Sequence, residues 1–183
     1  DEFAASVGGF DTLDEYRADV RAKLEDAKRA GREMEIERAA LAALSERLEG
    51  DIPAELVQTR AATMARDYFD SLEERGVSIE QYIQATGTDP EQLEADFHER
   101  AGVRVREELG LEALFRAQGY EVSDADVEAT VLEIVGGDEG EARTLRASLT
   151  NNGVLPILRE QIMHRRAMEW LLENVTVSEE EQS

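Results

Sequence analysis

Cysteine is absent from the 183-residue chain, which excludes disulfides, thiolate metal sites and cysteine nucleophiles. Only two histidines are present, His98 and His164, too few for a multi-histidine zinc centre. Proline is scarce, at three residues, and aromatic residues make up 5%. No run approaches the 18 apolar residues of a membrane-crossing helix. Positive charge is also in short supply: 20 Lys and Arg stand against 42 Asp and Glu, for a net charge of −22. Such an imbalance argues against a nucleic-acid face, because a phosphate backbone must be met by clustered Lys and Arg. Large aliphatic residues are few as well. Of the 42% hydrophobic residues, 24 positions are alanine, which leaves a lean core for the length.

What is abundant, alanine and carboxylate, has high intrinsic helix propensity. Thr12-Leu-Asp-Glu15 forms a capping box, after which Leu13, Tyr16, Val20, Leu24, Ala27, Gly31 and Met34 recur at helical spacing. Leu41, Leu44 and Leu48 extend the stripe, so one long helix is expected over 13–49, gripped along one narrow seam. At 1.5 Å per residue it would reach about 55 Å, too long to lie inside a compact domain of this size. An elongated molecule is expected. Gly50 to Pro53 breaks the helix, and a second helix runs to about Arg75 with Gly76 as a left-handed cap.

Ser78-Ile-Glu-Gln81 is another capping box and opens a short helix that ends at Gly87. Pro90 begins a long helix to about residue 118, and Ser123-Asp-Ala-Asp126 caps the next. Gly136 to Gly140 reads as a polar turn, followed by a short helix over about 141–150. The last helix spans about 154–174, Val175 to Val177 is extended, and 178–183 forms an acidic tail. Residues 1–10 read as an irregular lead-in. The expected fold is all-α, a single elongated domain over 1–183.

No catalytic constellation stands out. The carboxylates lie away from the apolar stripes, where a solvated face is their ordinary role. Neither histidine has nucleophile or metal-ligand spacing around it. The glycine-rich turn has no strand before it and no lysine after it, unlike a phosphate loop. The expectation is a non-enzymatic protein with no cofactor and no membrane span. More informative is the combination of long helices, few large apolar residues and extreme charge. Met64, Phe69, Leu72, Tyr82 and Ile83 are candidates for an exposed apolar patch, with ordinary helix-hairpin core as the alternative.

The chain resembles the C-terminal chaperone domain of trigger factor, the ribosome-associated folding factor of bacteria. The resemblance rests on Phe10-Asp-Thr-Leu13, Asp51-Ile-Pro53 through Val57, Gly76-Val-Ser-Ile79 with Tyr82 and Thr86-Gly87, and the Val175 to Glu179 ending. It implies a long body helix (13–49), arm one (53–118), arm two (123–153) and a closing body helix (154–174). It implies a chaperone that needs no ATP and binds unfolded or nascent polypeptides on dispersed apolar patches. Val135, Leu145 and Leu149 fall near the arm-two patch by order of alignment. The family's ribosome-docking loop and its peptidyl-prolyl isomerase domain are not found in this sequence. The resemblance thus implies a fragment that meets the ribosome only through a missing N-terminal domain, an expectation in keeping with a chain that begins at Asp1. The expected location is the cytoplasm. Two alternatives stay open: a helical scaffold for one folded partner, and a periplasmic SurA-like chaperone core. Self-association is a further open expectation.

Overall fold

A computed structural model of the chain describes residues 9–176 and residue 178. The described residues form seven helices and no strand: α1 (Leu13–Glu46), α2 (Ala54–Glu74), α3 (Ile79–Thr86), α4 (Pro90–Ala117), α5 (Asp124–Ile134), α6 (Glu139–Asn151) and α7 (Leu155–Asn174). The fold is all-α. The lead-in over 1–8 and most of the acidic tail lie outside the described residues.

The capping boxes act as the sequence indicates. At Thr12, Ser78 and Ser123 the hydroxyl accepts from the amide three residues on, and the residue there returns a bond to the cap amide. Each box satisfies two of the amides that a helix start leaves without partners. Gly76 ends α2 as expected. Its φ of 75° lets the Val77 amide reach the Leu72 carbonyl at 2.9 Å while the Gly76 amide reaches Glu73 at 2.8 Å.

Two boundaries differ from expectation. Helix α1 stops at Glu46 rather than 49. Helix α6 begins at Glu139, so Gly140 is helical and not part of a turn. The reason is Asp138, whose Oδ1 accepts from both the Gly140 and Glu141 amides at 2.8 Å. A cap of that strength outweighs the small penalty of glycine in a first turn.

Helix α4 is the hub, packed against α2, α7 and α1. Gly110 faces α1 where the two helices cross, and a β-carbon there would meet Leu44 Cγ at 3.5 Å, an ordinary contact distance that leaves room for a methyl but not a larger side chain. One core cluster joins Leu41, Leu111, Phe115 and Ala167, so α1, α4 and α7 share it. A second joins Val127 and Val131 of α5 to Leu158 and Ile162 of α7. Polar clamps reinforce both. Arg106 Nη1 donates to the Ser45 and Leu48 carbonyls, at 3.3 and 3.1 Å, and holds the C-terminal end of α1. Arg159 Nη1 donates to the Val122 carbonyl at 2.8 Å, while its other nitrogen pairs with Asp124.

The expected seam along α1 is only partly realised. Ala40, Leu41 and Ser45 are buried, but every residue from 21 to 35 is exposed. Leu24 and Met34 show 58% and 70% of their surfaces. The N-terminal part of the stripe runs past the region where α4 and α7 cover the helix.

Candidate functional site

A largely apolar concavity lies where α2, α3 and α4 meet. On α2, Ala61, Ala62, Ala65 and Phe69 share one face, because steps of three and four keep residues in line. On α4, Pro90, Leu93 and Phe97 face them across the gap. Helix α3 closes one side with Ile79 and Ile83. Alanine has too little volume to fill the space between two helices held apart by Phe69 and Phe97. What results is an open groove of about 400 Å³. Its rim is polar, with Gln58, Glu94 and His98.

Aromatic packing fixes the groove's floor. Phe97 is buried, and its ring sits edge-on to Phe69 at 6.1 Å and to Tyr68 at 5.7 Å. Tyr68 also meets Tyr82 edge-on at 5.7 Å, which ties α2 to α3. Such contacts favour offset and perpendicular rings and give the wall a defined shape. The neighbouring Tyr82 side chain raises the Tyr68 phenol above its ordinary pKa, with desolvation second.

The sequence candidates fall into three groups. Phe69 and Ile83 line the groove, and Tyr82 is half-buried beside it. Met64 is half-buried on a different side of α2, in a more polar depression with Arg100 and Val103. Leu72 differs from the expectation of an exposed side chain: it is buried, with 9% of its surface accessible. Near α5 and α6, Leu145 and Leu149 are half-buried because they pack against the Val127, Val131, Leu158 and Ile162 cluster. Val135 is half-buried at the C-terminal end of α5. These three do not assemble with the groove residues.

Sequence reasoning missed much of the groove as a site. Ile79, Leu93 and Phe97 appear in the sequence only as members of helical stripes, and the alanines give no signal alone. It also missed the exposed Leu56, Val103, Ile134 and Ile157. A second cleft, of about 450 Å³ between α2, α4 and α7, mixes apolar Leu56, Val105 and Leu109 with His164, Glu112 and Glu160. Arg60 pairs with Glu108 at 2.5 Å across it. Among the described residues, no group of three or more His, Cys, Asp or Glu is placed to hold a metal ion, and no helix is long and apolar enough to cross a membrane.

These features define an all-helical protein that offers an open apolar groove between helices on a strongly acidic frame. The chain belongs to the bacterial trigger factor family: the family described as "Bacterial trigger factor protein (TF) C-terminus" matches residues 12–173. It is a chaperone family. The chain is 30% identical to trigger factor of Ruminiclostridium cellulolyticum over 178 residues, 97% of this chain and 41% of that protein. It is 31% identical to trigger factor of Bacillus cytotoxicus over 175 residues, 95% of this chain and 40% of the relative. Trigger factor of Clostridioides difficile matches at 30% identity over 97% of this chain and 41% of its own length. The chain thus spans about two fifths of the length of these relatives. No solved structure shows a significant match.

Proposed function

We propose that this chain is a chaperone module that needs no ATP and holds apolar segments of unfolded or nascent polypeptides, with the groove between α2, α3 and α4 as its principal contact. The observation that carries this reading is the groove itself: an open concavity walled by Phe69, Ile83, Leu93 and Phe97. Exposed apolar surface of this kind on a charged protein is ordinarily a contact surface. Residues 53–118, with the groove, act as one arm and 123–153 as a second, while 13–49 and 154–174 form the body. The setting is the cytoplasm, and any ribosome contact comes from parts of a longer protein.

A large aliphatic or aromatic side chain buried fully in the groove contributes up to about 1.5–3 kcal/mol. Ordering a flexible client offsets much of that. Individual contacts are therefore weak and quickly broken, and useful retention comes from several contacts along one client. Weak contacts let a client leave and fold without an energy source. The acidic frame, at −22, keeps loaded molecules apart.

The test is suppression of aggregation with several unrelated denatured proteins. The reading predicts a dose-dependent delay for most of them at near-equimolar chain. Activity toward a single folded partner and none of the denatured proteins would contradict it and favour a scaffold.

A further inference from the structure

The groove between α2, α3 and α4 has walls that favour one conformation of an occupant over another. Both long walls are α-helices, Ala54–Glu74 and Pro90–Ala117, whose amides and carbonyls are used within their own turns. No strand, and so no open sheet edge, occurs among the described residues. An extended segment laid on the groove would press amides and carbonyls against Ala61, Ala65, Leu93 and Phe97 with nothing there to bond them. A helix arrives with its backbone bonds already made. It can bury one apolar face in the groove and leave no polar group without a partner.

The shape agrees. Gln58, Ala62, Ala65 and Phe69 lie four, three and four residues apart along α2, and Pro90, Leu93 and Phe97 lie three and four apart along α4. Two such rows, one on each helix, form the seat that a third packed helix takes. The alanines let it come close, because the distance between helix axes depends on the side chains at the contact. From residue 58 to 69 the seat runs about 16 Å, or roughly three turns. The chain itself uses one side of the groove in this way. Helix α3, eight residues long, adds Ile79 and Ile83 to the lining, four residues apart.

Charge then selects among amphipathic helices. Residues 54–98, which build the groove, carry ten acidic and three basic side chains, and Glu94 stands exposed on the rim. A helix with lysine or arginine along its polar face meets a field of opposite sign, and an acidic one is repelled.

We propose that the groove is a seat for a basic amphipathic helix about three turns long, docked along the α2–α4 pair with its apolar face against the alanines. The inference rests on the reading of the groove as the client contact and adds the form in which the client is held. A segment that is unstructured when free becomes helical on the groove, where burial of its apolar face offsets the cost of ordering it.

The test uses the whole 183-residue chain and labelled peptides of about 14 residues made of leucine, alanine and lysine. One peptide has its leucines at helical steps of three and four. A second has the same composition in strict alternation, and a third is the first with a central proline. Fluorescence anisotropy should show the first binding at least tenfold more tightly than the others, and replacing its lysines with glutamate should abolish binding. Transferred NOEs should connect successive amides of the bound first peptide, as in a helix. Ala65→Leu, which fills the seat, should weaken that peptide tenfold or more with the chain's helix content unchanged by circular dichroism. Equal affinity for the helical and alternating patterns, an extended bound peptide, or undiminished binding to the Ala65→Leu chain would overturn the inference. In that event, shifts at Ala61 to Phe69 on adding a permanently unfolded protein would leave the groove reading standing. A groove that neither peptide nor unfolded protein perturbs would overturn both.

Discussion

Phe69 and Ile83 stand at the edge between structure and contact. Both line the groove and are only half-buried, so removing them takes more from a bound client than from the fold. Phe69→Ser with Ile83→Ser should weaken binding of an unfolded client at least tenfold, read by fluorescence titration, with helix content little changed. Phe115 is the contrasting residue, 5% exposed in the cluster shared by α1, α4 and α7. Phe115→Ala should lower stability by about 3–5 kcal/mol by the cavity it leaves, measured by urea unfolding. At the start of α5, the Ser123 hydroxyl and amide hold the Asp126 carboxyl below its ordinary pKa. A carboxyl depressed in the folded chain contributes stability that is complete above the unfolded value, about 4, and is lost as pH falls through the folded one. The protection factors of α5 amides, exchange corrected for its intrinsic pH dependence, should therefore fall on acidification below about pH 4, and Asp126→Asn should flatten that dependence. Ser123→Ala, which removes the cap's acceptor, should cost about 1 kcal/mol.

At the scale of helices, punctuation is what the residues announce most clearly. Three capping boxes and the Gly76 cap place the ends of α1, α2, α3 and α5 within a residue or a few. Where one local signal hid another, the reading slipped: Gly136 to Gly140 looks like a turn until Asp138 is seen to cap two amides. Burial along a helix was less legible. The stripe on α1 is continuous in sequence, yet α4 and α7 meet it only from Ala40 onward, and periodicity carries no information about how far a neighbour reaches. Leu72 and Phe69 show the same limit, lying three residues apart on α2 with one buried and one in the groove. The α1–α4 crossing gives a prediction of its own. A methyl at Gly110 meets Leu44 at an ordinary contact distance, so Gly110→Ala should stabilise the chain by up to about 1 kcal/mol through helix propensity. Gly110→Leu should instead push α1 away and lower the melting temperature. Arg106→Ala should speed amide exchange around Ser45 to Leu48, because it frees two carbonyls at the end of α1.

Across the whole molecule, a lean supply of large apolar residues is divided between two small core clusters and an open groove. The division explains why the fold class was readable and the site only in part. Helix formation depends on neighbours three and four residues away, whereas the groove joins residues 58 to 98 from three helices. Its alanine wall has meaning only once α4 stands opposite. Phe69, Tyr82 and Ile83 were legible because they are large and apolar on a short, charged stretch of chain. Leu145 and Leu149, which only the order of alignment places near an arm-two patch, are taken up by the α5–α7 cluster.

The most direct measurement is a titration of the isotope-labelled chain with a permanently unfolded protein, followed by NMR chemical shifts residue by residue. The account predicts fast-exchange shifts concentrated at Ala61 to Phe69, Ile79 to Ile83 and Leu93 to Phe97, with smaller changes elsewhere. Binding that leaves those three segments unperturbed would contradict it.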